Sequence, residues 1–97
     1  MAVEFETEIR VGLAESHLRL GNFEKAVQTA EQTLDLSRQR NNRLTECKAL
    51  MVCGEAFKVG DAHSISRAKA SFEQAQRLIT QTGATIFERE LLLARAA

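Results

Sequence analysis

The sequence predicts an all-α fold: a stack of two helical hairpins followed by a fifth, closing helix. Three observations carry this reading. Among 97 residues there is no proline, tryptophan or tyrosine, and the strong helix formers Ala, Leu, Glu, Gln and Arg dominate. Apolar residues recur at helical spacing along most of the chain. A motif also occurs twice, about 40 residues apart, as Leu13-Ala14-Glu15-Ser16-His17, Gly21-Asn22-Phe23, Ala26, Ala30 and as Cys53-Gly54-Glu55-Ala56-Phe57, Gly60-Asp61, Ala68, Phe72, Ala75. Each copy reads as helix, Gly-marked turn, helix, with small residues where the two helices would touch. Such a repeat describes a helical solenoid.

Residues 2–20 read as the first helix, with Phe5, Ile9, Leu13, His17 and Leu20 as its core stripe and Glu6→Arg10 and Glu15→Arg19 as i,i+4 pairs. Gly21 suits the left-handed residue that closes a helix, and Asn22 suits the N-cap of the next. The second helix spans 23–40, with Phe23, Ala26, Val27, Ala30 and Leu34 on one stripe, and Asn41-Asn42 interrupts it. The third spans 43–59, with Leu50, Cys53, Gly54 and Phe57 on one face. Gly54 costs that helix about 1 kcal/mol in propensity, which predicts a close neighbour there.

Relative to Gly21–Ala26, the stretch Gly60–Ala68 carries a three-residue insertion, read as an extended turn at Asp61–Ser66. Ser64 or Ser66 would cap a fourth helix running through Ala68, Phe72, Ala75 and Ile79 to about Gln81. Thr82-Gly83 makes the last turn, and residues 84–97 form the fifth helix, with Ile86, Phe87, Leu91, Leu92 and Ala94 apolar. The chain is expected to be one domain: a first repeat at about 7–42, a second at about 43–83 and a half repeat or capping helix at 84–97. Stopping after half a repeat is what an excerpt of a larger protein would show.

Composition narrows the function. Lys plus Arg and Asp plus Glu number 13 each, so neither a nucleic acid nor an anionic membrane is favoured as a partner. The longest apolar run, Ala49 to Cys53, falls far short of a membrane span or signal-peptide core, and the expected location is cytoplasmic. Cys47 and Cys53 lie six residues apart on one helix, about 9 Å along its axis, too far for a disulfide and without a zinc-ligand pattern. They read as reduced, packed thiols. His17 reads as a packed interhelical residue and His63 as solvated. No Ser-His-acid or Cys-His set falls on adjacent turns and no Gly loop could cradle a phosphate, so neither a catalytic site, a cofactor nor a metal is expected.

These residues resemble the tetratricopeptide repeat. Leu13-Ala14, His17, Gly21, Phe23, Ala26 and Ala30 follow its pattern in the first copy; Leu50, Cys53-Gly54, Phe57, Ala68, Phe72 and Ala75 follow it in the second. Departures are Arg10 for a large apolar residue, Thr33 for an alanine, and two missing terminal prolines. The run Ala68-Lys-Ala-Ser-Phe-Glu-Gln-Ala, with Thr82-Gly-Ala-Thr-Ile-Phe-Glu-Arg-Glu-Leu91, also looks like the C-terminal repeats of large bacterial signalling proteins, namely ATPases fused to nucleotide cyclases and LuxR-type activators.

The resemblance implies a non-catalytic protein-interaction module of an intracellular regulatory protein. Its concave groove would be lined by Glu8, Val11, Glu15, Leu18 and Arg19 from the first helix and Lys48, Met51, Glu55 and Lys58 from the third. Apolar Val11, Leu18 and Met51 flanked by charges of both signs suit an amphipathic helix or an extended peptide. Family members that grip chaperone tails use Lys and Asn where this chain has Val11, Glu15, Met51 and Glu55, so a chaperone-tail clamp is not expected. The alternative is a spacer or self-association module, pairing with a second copy through the uncovered side of the fifth helix. A small all-α enzyme would need several inward Arg or Lys, and only Arg10 falls on a core stripe.

Overall fold

The computed structural model describes residues 3–59, 62–83 and 88–96. Five helices, with no strand, make up the described residues: α1 (Val3–Arg19), α2 (Phe23–Gln39), α3 (Arg43–Lys58), α4 (Ala62–Thr82) and α5 (Glu88–Ala96). The protein is therefore all-α, and the bounds of α1, α2 and α3 lie close to those read from sequence. Ile86, Phe87 and the side chains of Phe5 and His63 lie outside the described residues.

Three left-handed residues set the turns. Gly21 (φ 81°), Asn41 (φ 56°) and Gly83 (φ 71°) terminate α1, α2 and α4. After α1, the amide of Asn22 donates to the carbonyl of His17 and that of Gly21 to Leu18; after α2, Asn42 donates to Ser37 and Asn41 to Arg38. Both pairs satisfy carbonyls that a helix end leaves open. The two asparagines that follow differ. Asn42 accepts from the Thr45 amide at 3.3 Å and caps α3, whereas Asn22 makes no side-chain cap bond to α2. Asn42 also donates to Thr7 Oγ1 at 3.1 Å, tying this turn to α1.

The expected extended turn at 61–66 is corrected. α4 begins at Ala62, so the inserted residues lengthen the helix toward its N-terminus. None of residues 62–66 is a helix breaker, so an added turn can be hydrogen-bonded within the helix.

α3 is the central element and packs on α1, α2, α4 and α5. One apolar cluster joins α1, α2 and α3 through Ala14, Ala26, Ala30, Val52, Cys53 and Ala56. The other joins α3, α4 and α5 around Leu50, Phe72, Leu78, Ile79 and Leu91. Burial repeats along the chain. Thr7, Val11 and Ala14 on α1 match Cys47, Met51 and Gly54 on α3, and Leu91 and Ala94 on α5 match Met51 and Gly54; all are buried. On α2 and α4, Ala26, Ala30, Thr33 and Ser37 match Ala68, Phe72, Ala75 and Ile79, again all buried.

The core stripe assigned to α1 is overturned. Ile9, Leu13 and Leu20 are 69%, 50% and 75% exposed, His17 is only half-buried, and Thr7, Val11 and Ala14 face inward with Leu18 packed beside them. Val11 and Met51, expected as open groove residues, are core. The physical reason is close packing: Ala14 shares a cluster with Ala26 and Ala30 of α2, and small side chains at a helix crossing let the backbones approach. Arg10, at a position expected to be large and apolar, is half-exposed and pairs with Glu6 at 3.3 Å. Thr33 is fully buried, and its hydroxyl donates to the Thr29 carbonyl at 2.7 Å, so its polar atom is satisfied.

Candidate functional site: a cleft along α1, α3 and α5

On α1, residues 11, 14 and 18 turn toward the core, which leaves Glu15 and Arg19 on its rim. On α3, Lys48, Met51, Glu55 and Lys58 follow at spacings of three and four and line one side. The two series flank a cleft with two adjoining cavities. One, of about 490 Å³, is lined by Glu15, Leu18, Arg19, Phe23, Glu55 and Lys58. The other, of about 320 Å³, is lined by Glu15, Arg19, Lys48, Met51, Val52, Glu55 and the α5 residues Glu90, Leu93 and Ala94. They share Glu15, Arg19 and Glu55.

Of the groove residues read from sequence, the structure brings Glu15, Leu18, Arg19, Lys48, Met51, Glu55 and Lys58 to these cavities. Glu8 is exposed and Val11 is buried, and neither lines them. Sequence reasoning missed Phe23, Glu90 and Leu93. The 40-residue offset that aligns Leu91 with Met51 puts Glu90 and Leu93 at the positions of Leu50 and Cys53, not at groove positions, so it carried no signal for them.

The lining is charge-balanced, with Glu15, Glu55 and Glu90 against Arg19, Lys48 and Lys58. Glu15, Glu55 and Arg19 form no ion pair among the described residues. Lys58 is committed differently: its Nζ donates to the backbone carbonyl of Ala94 and lies 6.0 Å from the Phe72 ring centroid. This ammonium therefore ties the end of α5, one wall of the cleft, to α3.

Outside the cleft, two thiols and one carboxyl are shifted from their ordinary values. Burial pushes the Cys47 thiol up to about 11, with help from the Glu90 and Glu46 carboxylates, and pushes Cys53 up to about 12, with help from Glu31. Both remain thiols at neutral pH and are poor nucleophiles. Hydrogen bonds from Arg40, at 3.0 Å, and then Arg10 hold the Glu6 carboxyl below its ordinary range, which braces α1 against the end of α2. Among the described residues, no group of three or more His, Cys, Asp or Glu could hold a metal ion, and no helix is long and apolar enough to cross a membrane.

No protein-family model matches the chain, and no curated protein or solved structure is detectably similar to it. The functional reading rests on the geometry of the cleft.

Proposed function

We propose that this chain is a non-catalytic protein-interaction module of an intracellular regulatory protein, a tetratricopeptide-like solenoid that takes a peptide or a helix in the cleft along α1, α3 and α5. The observation that carries the reading is the cleft itself, an open channel whose apolar Leu18 and Leu93, with the buried Met51 beneath them, are interspersed with Glu15, Arg19, Lys48, Glu55 and Glu90. Apolar side chains anchor a segment by burial, and interspersed charges of both signs set its register. The two cavities lie side by side along shared walls at Glu15, Arg19 and Glu55, an arrangement suited to an extended or helical segment more than to a compact small molecule. The repeated burial pattern supports the solenoid reading, because each helix pair presents the same side to the next.

The test is selection of peptides from a random display library on the immobilised native chain, followed by fluorescence anisotropy with the selected peptides. Variants at Val11 and Met51 would disturb the core, so the cleft is probed at its rim by Arg19→Glu and Leu93→Lys, whose side chains are exposed. Each is expected to weaken binding about tenfold or more, a loss of about 1.4 kcal/mol, without changing the melting temperature. Selected peptides that bind both variants as tightly as the native chain would sink the assignment.

A further inference from the structure

We infer that α5 is a movable wall of the cleft, a role that rests on the peptide-binding reading of that cleft. The helix opens from α3 and α4 as a unit, and a segment bound in the second cavity holds it shut.

The wall is lightly fastened. α5 has nine residues, too few for an isolated helix to be stable in water, so it stays folded only while docked. Of residues 88–95, only Leu91 and Ala94 are buried, and both join the cluster built on α3 and α4. Leu92 and Leu93 point outward and are exposed. One polar contact adds to this hold, from the Lys58 ammonium to the Ala94 carbonyl. α3, by contrast, buries nine of its sixteen residues. A short element with few buried side chains belongs to the low-stability end of a fold, from which moving walls and lids are drawn.

Opening affects the two cavities unequally. The first is lined by residues of α1, α2 and α3 and keeps its whole lining when α5 leaves. The second loses Glu90, Leu93 and Ala94, three of its nine lining residues. A segment that touches those three binds the docked state more tightly than the open one. Only such a difference in affinity can shift the equilibrium between them. Lys58 joins the two cavities, because it lines the first and holds the Ala94 carbonyl at the second. The segment thus meets a preformed half, made by α1 and α3, and a half that closes on it.

Hydrogen exchange of the native chain in low urea tests this, alone and with peptides selected on the immobilised chain. Without peptide, the amides of residues 92–96, hydrogen-bonded within the helix, are expected to exchange faster than those of residues 47–56 in α3. Their rate should also respond less to urea, because a local opening exposes little surface. A peptide whose affinity falls on Leu93→Lys, present at about 100 times its dissociation constant, should slow exchange at 92–96 about tenfold or more. Exchange at 92–96 no faster than in α3 overturns the movable wall. So does a rate left unchanged by a bound, Leu93-sensitive peptide, and in both cases the cleft reading stands. Peptides indifferent to both Arg19→Glu and Leu93→Lys remove the cleft reading, and the closing role of the ligand with it.

Discussion

Gly54 on α3 lies directly against the ring of Phe72 on α4. A Cβ built at Gly54 would sit 2.5 Å from Phe72 Cε1, 2.6 Å from Cζ and 2.8 Å from Cδ1. Only a residue without a side chain allows this approach, which accounts for a glycine in the middle of a helix. The Phe72 ring is itself 4% exposed and enclosed by the larger core cluster. It cannot swing into solvent to make room.

Gly54→Ala therefore sets a helix-propensity gain of up to about 1 kcal/mol against an overpacking cost of about 1–3 kcal/mol. The expected sign is destabilising, measured as a lower midpoint in urea. Phe72→Leu alone also destabilises, by leaving space in the core. Combining it with Gly54→Ala should cost less than the sum, because the new methyl group occupies the space vacated by the ring. Strict additivity in the double-mutant cycle would show that the two residues do not compete for volume.

The buried thiols make two linked statements about pH. Native protein at pH 8 should not react with a thiol reagent on the timescale in which the urea-unfolded chain titrates both cysteines. In the unfolded chain these thiols ionise near their ordinary value of 9.0, whereas in the folded protein they hold their protons to about 11 and about 12. Above pH 9 the unfolded state loses its protons first, so stability falls as pH rises from about 9 to about 12 and is unaffected by these groups below that window. Replacing both cysteines with alanine should flatten this alkaline limb.

Asn42 serves two elements at once. Its carbonyl oxygen caps α3 through the Thr45 amide, and its amide group donates to the buried Thr7 hydroxyl. Asn42→Ala is expected to cost about 0.5–2 kcal/mol for the cap alone, with a further loss from the Thr7 contact. Asn22→Ala, at a position with no side-chain cap bond, should cost less. Chemical denaturation of the two variants side by side checks the ordering, and equal losses would contradict it.

α5 is held by few groups, chiefly Leu91 and Ala94 in the core and Lys58 at its end. Leu91, at 1% exposure, should cost about 2–5 kcal/mol on substitution by alanine. Because α5 is short and terminal in the packing, part of that loss should appear as local opening. Hydrogen exchange is expected to accelerate across 88–96 before the rest of the chain. Uniform acceleration through α1 and α2 would show α5 to be part of one cooperative unit.

Helix number, the turns at Gly21, Asn41–Asn42 and Gly83, and the inward-facing residues Ala26 and Ala30 of α2 and Ala68, Phe72, Ala75 and Ile79 of α4 were legible in the amino-acid order, because propensity, chain breakers and a single apolar stripe act within one or two turns; the exposed Phe23 and the buried Thr33 and Ser37 of α2 were not. The facing of α1 was not. Its Ile9–Leu13–Leu20 and Val11–Ala14–Leu18 stripes both recur at helical spacing, and nothing local ranks the larger residues below the smaller. The choice was made at the contact with Ala26 and Ala30, where close approach of two helices favours Ala14 over Leu13. The same choice buried Val11, left Glu15 and Arg19 at the rim, and freed an apolar face on the far side of α1. The walls that α5 adds to the cleft, Glu90 and Leu93, likewise depended on where that helix docks. Local chemistry thus determined what the elements are, while side-chain volume at the helix crossings decided which way α1 faces and which residues share the cleft.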